Sequence, residues 1–135
     1  MPSNSAVAAP VTMRLPFAAS SVSVARQRLQ AWLTDRGGRS EVVEDARVIV
    51  SELVANSVRH ARPLADGSIL VSWGLEPRGL QVQVTDGGAA TRPHRVNAPS
   101  SALAGRGMAI VGVLADEWWS ERSETRSSVF ALLSV

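Results

Sequence analysis

The clearest pattern in the chain is the return of apolar positions at helical spacing through residues 45–61, DARVIVSELVANSVRHA. Ala46, Ile49, Val50, Leu53, Ser57 and Ala61 fall on one stripe, which predicts a helix with one buried face. Glu52 and Asn56 lie four apart on the border of that stripe, one turn above the other, and Arg59 and His60 continue the edge. A second stripe, Val22, Ala25, Leu29, Trp32 and Leu33, predicts an earlier helix, capped by Ser20 or Ser21 and running to about Arg36, where Gly37-Gly38 ends it. Ser40 is the expected cap of the helix through residue 61, with Glu44 near its first turn and Pro63 preventing its continuation.

Elsewhere the period shortens to two. Ile69, Val71 and Trp73, then Leu80, Val82 and Val84, predict strands over residues 68–75 and 80–85, with Pro77-Arg78-Gly79 as the hairpin loop. Residues 11–18 form a candidate strand whose Pro16 suits a sheet edge. Residues 87–105 are rich in Gly, Ala, Pro, Ser and Asn and have little periodicity, so they read as a long functional loop. Gly105-Arg106-Gly107 leads from it into a helix over residues 108–115, and residues 117–122 and 127–135 complete the pattern as strands. The order β-α-α-β-β-loop-α-β-β predicts an α+β fold. It has two layers: a mixed, mostly antiparallel sheet with three helices on one face. Residues 1–10 are a loose tail and residues 11–135 a single domain. A ligand cleft is expected between the second helix, the strand ending at Asp86 and a lid over about residues 87–105.

Composition narrows the chemistry. Of 135 residues, 45% are hydrophobic and 19% charged, as in a globular domain. No apolar run is long enough to span a membrane, and the first residues lack the pattern of a secretion signal, so the cytoplasm is the expected location. There is no cysteine, which excludes disulfides, thiol nucleophiles and Cys-based zinc sites. All 14 basic residues are Arg; the net charge is only +2 and the arginines are dispersed. A nucleic-acid binder would concentrate them, and its binding would depend steeply on salt. Without lysine there is neither a P-loop nor the strand Lys of a eukaryotic-type protein kinase, so any handling of ATP needs another architecture.

Three pieces stand at informative spacing: Glu52-x3-Asn56, Asp86-Gly-Gly, and Gly105-x-Gly107 opening a helix. An Asn oxygen suits Mg²⁺, a hard cation that keeps several waters. A Glu one turn away can take a proton from water or a hydroxyl. A carboxylate at a strand end can accept from an adenine amino group, and glycines at a helix start let phosphates reach free N–H groups. Together the residues resemble the GHKL (Bergerat-fold) ATPases, and within them the small bacterial anti-sigma-factor serine/threonine kinases. SELVANSVRHA (51–61) resembles the family's N box, VTDGG (84–88) its G1 box and GRGMAIV (105–111) its G2 box, and the resemblance covers about residues 12–135.

The resemblance implies roles. Glu52 is the general base and Asn56 the Mg²⁺ ligand. Asp86 reads adenine with Gly88 beside the ring. Gly105, Arg106 and Gly107 face the phosphates, and Ser127 stands where the last-strand Gly-Thr-x-apolar motif has its Thr. Arg26 sits where these kinases place an Arg facing their protein partner, and His60 matches a His common in this branch. The implied cofactors are ATP and Mg²⁺. The implied partners are a STAS-type anti-sigma-factor antagonist, phosphorylated on Ser or Thr, and a sigma factor, with a homodimer left open. Ala90 replaces the last glycine of the G1 box and Arg126 the glycine of the last-strand motif; both changes weaken the expected ATP binding, so a catalytically weak or inactive protein-binding module of the same fold is the alternative. Arg92 and Arg95 in the lid read as solvated, and His60 and His94 are too isolated for a metal site. Trp32, Trp73, Trp118 and Trp119 read as packing residues. Trp118 and Trp119, adjacent on a strand, point to opposite faces, one toward the helices and one toward solvent or a partner.

Overall fold

The computed structural model describes residues 10–88 and 101–135, residues 101–107 by their backbone alone. The elements are β1 (Val11–Pro16), α1 (Ser20–Asp35), α2 (Ser40–His60), β2 (Ser68–Glu76), β3 (Gly79–Asp86), α3 (Ser101–Leu114), β4 (Glu117–Arg122) and β5 (Ser127–Leu133). They build one five-stranded sheet in the order β1-β2-β3-β5-β4, with helices on one face. Every described pairing is antiparallel. The expectation of a mixed, mostly antiparallel sheet is met in its antiparallel part, and no parallel pair forms among the described strands although β3 and β4 run in the same direction. β5 returns between β3 and β4, so those two strands never touch.

Alternation decides which face is buried. Ile69, Val71 and Trp73 of β2, Leu80, Val82 and Val84 of β3, and Ala131 and Leu133 of β5 join the core with Val50, Leu53 and Val54 of α2. Each such side chain removed from water contributes about 1.5–3 kcal/mol. The opposite face carries Thr12, Arg14, Ser72, Gln81, Gln83, Thr85 and Ser128, the residues out of phase with the core positions. α2 is the central helix of the layer, touching α1, α3, β3 and β5. Its buried residues are Val42, Ala46, Ile49, Val50, Leu53, Val54 and Ser57, which extends the predicted stripe by one turn at its start.

The helix ends divide. Gly37, at φ +76°, closes α1 as predicted: its N–H donates to Thr34 O at 3.0 Å and that of Gly38 to Leu33 O at 2.9 Å. The predicted serine caps do not form. Ala19 precedes α1, and the Ser21 hydroxyl donates to Pro16 O at 2.6 Å, fastening the helix to β1. The first N–H groups of α1 are satisfied by backbone: Ser21 N–H donates to Ala18 O and Val22 N–H to Ala19 O. Ser40 is the first residue of α2, behind Arg39, and no side chain caps that end. Glu44 instead pairs with Arg47 at 2.7 Å on the surface.

Trp32, Trp73 and Trp119 pack as anticipated, whereas Trp118 is exposed. Trp73 is buried and meets Trp32 edge-on at 6.4 Å, with the Arg36 guanidinium 4.2 Å above the Trp32 ring. The Trp118 indole lies toward Gly112 of α3, whereas Trp119 stacks on Phe130 at 5.1 Å on the other face. Pro16 ends the edge strand β1, where a missing N–H costs the ladder nothing. Among the described residues no helix is long and apolar enough to cross a membrane.

Candidate functional site

The site is built where α2 crosses the end of β3. The helical stripe buries Ser57, and the strand period turns Asp86 to the same face as Val82 and Val84, so the two polar groups meet. The Ser57 hydroxyl donates to Asp86 Oδ2 at 2.5 Å, and the Gly88 N–H donates to Asp86 Oδ1 at 2.8 Å. Asp86 is 5% exposed. A carboxylate offers about four lone-pair positions, so about two remain for a ligand. Burial raises the Asp86 pKa above the usual carboxylate value; the Ser57 and Gly88 hydrogen bonds and the Arg122 charge oppose that rise.

The turn after Asp86 requires its glycines. Arg62 N–H donates to Gly88 O at 2.9 Å and Gly87 N–H to Arg62 O at 2.8 Å, which ties the segment leaving α2 to the segment leaving β3. A Cβ on Gly87 would collide with the carbonyl oxygen of Pro63. Gly88 has φ +97°, a left-handed conformation that strains any residue with a Cβ.

Asn56 precedes Ser57, so the same hydrogen bond that fixes Asp86 fixes the helix position of Asn56. Asn56 Oδ1 is buried and has no hydrogen-bond partner among the described residues. An unsatisfied buried amide oxygen is costly, by about 1–3 kcal/mol. It is also an oxygen donor of the type Mg²⁺ takes, so the residue fits the ion the sequence implies. Glu52 is half-buried one turn earlier on α2. Ser127 pairs with Asp86 in the β3–β5 register and is half-buried, on the same face of β5 as Ala131 and Leu133. Among the described residues no group of three or more acidic or His side chains is placed to hold a metal.

Asn56, Asp86, Gly88 and Ser127 are therefore brought to one end of the sheet, with Glu52 one helical turn from Asn56. Arg26 is placed elsewhere, in the α1–α2 seam, where its Nη1 donates to Ser51 Oγ at 3.3 Å while Ser51 Oγ donates to Arg47 O. His60 is exposed at the last turn of α2. The glycine pair is placed differently from expectation. α3 starts at Ser101, so Gly105, Arg106 and Gly107 lie inside it and the N–H groups of its first turn belong to residues 101–104. Of the predicted lid, residues 89–100 lie outside the described residues, and with them Ala90, Arg92, His94 and Arg95. Arg126 sits in the β4–β5 turn, its N–H donating to Ser123 Oγ at 3.1 Å; no described residue other than glycine has positive φ, so its backbone does not need the family's glycine. Two shallow hollows, of about 450 and 310 Å³, lie on the outer α1–α2 surface around Gln30 and Thr34, away from this site.

Sequence reasoning missed two contributors. Ser57 was legible only as a polar residue inside an apolar stripe, and its partner lies 29 residues on. Arg122 carried no local signal; only the strand order brings it toward Asp86.

Comparison with known proteins identifies the family and the fold. Residues 15–131 match the family described as the histidine kinase-like ATPase domain. The chain is 31% identical over 119 residues to the serine-protein kinase RsbW of Listeria innocua, covering 79% of this chain and 76% of that one. It is 25% identical over 118 residues to RsbW of Bacillus cereus, covering 79% and 74%. The crystal structure of the RsbU and RsbW domains of Rv1364c from Mycobacterium tuberculosis superposes with a TM-score of 0.72 at 21% identity, covering 93% of this chain and 32% of that one, so this chain corresponds to about a third of that protein. On these grounds the chain belongs to the histidine kinase-like ATPase domain family, the GHKL ATPases, and within it to the branch resembling the anti-sigma-factor kinases.

Proposed function

We propose that this protein binds Mg-ATP between α2, the end of β3 and the start of α3, and passes the γ-phosphoryl group to a Ser or Thr of a STAS-type anti-sigma-factor antagonist, thereby controlling a sigma factor. The observation that carries the reading is a buried, doubly bonded Asp86 at the end of β3, held by Ser57, whose neighbour on α2 is Asn56 with its orphaned Oδ1. Asp86 accepts from the adenine amino group through its remaining lone pairs, and Ser127 supports it from the adjacent strand. Asn56 would hold Mg²⁺ through its Oδ1, and the ion would supply neutralisation of phosphate charge. Glu52 takes the proton of the acceptor hydroxyl as that oxygen bonds to the γ-phosphorus and the bond from the γ-phosphorus to the β,γ-bridging oxygen breaks, with ADP as the leaving group. Positioning supplies most of the remaining rate. Similarity to the Listeria and Bacillus serine-protein kinases supports the reaction class.

Transfer from labelled ATP to candidate antagonist proteins tests the reading. Glu52→Ala is expected to lower transfer at least about a hundredfold with little change in nucleotide affinity; full transfer by that variant would remove Glu52 from its role. A second reading, a regulatory module with little turnover, is favoured by the helical setting of Gly105 and Gly107. Calorimetry separates the two: no heat at millimolar Mg-ATP selects the second. Location in the cytoplasm, a homodimer and a partner-facing role for Arg26 remain parts of this proposal rather than of the fold.

A further inference from the structure

The end of the sheet presents a row of three side chains across three strands. Asp86 of β3 pairs with Ser127 of β5, and Ser127 pairs with Arg122 of β4. Directly paired residues in antiparallel strands share a face, so all three lie on the helix side, the side on which Asp86 meets Ser57. Arg122 ends the edge strand and is exposed. Two strand spacings, about 10 Å, separate its backbone from that of Asp86, and an extended arginine covers most of that span. Its charge is felt at Asp86. The row thus offers an acceptor-only group, a hydroxyl and a donor-only planar cation.

We propose that Arg122 is a base-contacting residue of the nucleotide site, its guanidinium laid against the purine whose amino group Asp86 accepts. The inference rests on the nucleotide-binding reading above and adds a residue to it. A purine carries ring nitrogens that accept hydrogen bonds and a flat π face, and a guanidinium suits both, whereas an ammonium lacks the plane. The position is also suited by location. Arg122 is on the base side of the site, beside Asp86 in register, and not on α2 with the Mg²⁺-holding Asn56. It therefore acts on the base and leaves the phosphates to other groups.

Calorimetric titration of the full chain with AMP, ADP and ATP, each with Mg²⁺, tests this. Arg122→Ala is expected to weaken all three by the same factor, about three- to tenfold. Arg122→Lys should restore less than half of that loss. Arg28→Ala, which removes an exposed arginine of α1, should leave affinity unchanged. Unchanged affinity in Arg122→Ala, a loss that grows with the number of phosphates, or full restoration by Lys would each overturn the role of Arg122 while leaving the nucleotide reading standing. A wild-type protein that binds none of the three nucleotides would overturn both. Circular dichroism of each variant establishes that it is folded before its affinity is compared.

Discussion

At the scale of single residues, the buried carboxylate of Asp86 carries a cost in stability. Its proton affinity is raised by burial, so in the folded state it binds a proton more readily than in the unfolded chain. Such a group contributes stability that is fully present below its unfolded value near 3.8 and is lost as pH rises through the raised folded value. At neutral pH the buried charge therefore weighs against folding. Asp86→Asn keeps the shape, with Oδ1 still able to accept from Gly88 N–H and the Ser57 hydroxyl free to turn and accept. The variant is expected to be more stable at pH 7, by about 1 kcal/mol or about 4 °C in Tm, with the advantage vanishing toward pH 4. The same variant should bind ATP at least about tenfold more weakly, because an amide cannot replace the acceptor pair. Thermal denaturation against pH, beside nucleotide titration, measures both. A wild type that is the more stable protein at pH 7 would contradict the cost assigned to the buried charge.

At the scale of elements, the tension sits in α3. Glycine costs about 1 kcal/mol in a helix interior, and α3 contains Gly105, Gly107 and Gly112. Gly105→Ala is expected to raise stability by about 0.5–1 kcal/mol and to lower ATP affinity if the phosphates approach the backbone there; equal affinity in the variant would remove this glycine from the site. The same tension explains what was and was not legible. Periodicity located α1, α2, β1, β2, β3 and β5 to within a few residues, because each buries one face against a common core, whereas β4 is largely exposed and was placed by the polar turn that joins it to β5. Periodicity placed the start of α3 late, because a Gly-x-Gly pair reads as a boundary and the four residues before it, Ser101 to Ala104, are too few to show a helical period of their own. The caps failed for a related reason: a hydroxyl in the first turn has rival partners, and for Ser21 the carbonyl of Pro16 won. Of the candidate site, Asp86, Asn56 and Glu52 were readable because motif spacing is local. Ser57 and Arg122 were not, since a contact 29 residues apart in sequence and a register across β5 exist only in the folded chain.

Across the whole molecule, α2 connects the site to everything else. It is the helix that touches α1, α3, β3 and β5, it carries Glu52, Asn56 and Ser57, and its buried face supplies much of the core. A ligand that engages Asn56 and Asp86 together therefore clamps the helix layer to the sheet, and its binding energy appears as stability of the whole domain. At nucleotide concentrations a hundredfold above Kd the gain is about 2.7 kcal/mol, which for a domain of this size is about 10 °C in Tm. The Mg²⁺ dependence of that shift separates the residues. Glu52→Ala should keep the full shift, because it removes a proton acceptor and no nucleotide contact. Asn56→Ala should lose most of the Mg²⁺-dependent part, and without nucleotide it should be no less stable than the wild type, since it removes a buried oxygen that has no partner among the described residues. Thermal scans with ATP, with and without Mg²⁺, on the three proteins decide it. An Asn56→Ala protein that melts well below the wild type without ligand would show that the amide oxygen is satisfied in the free protein and is not held open for a cation.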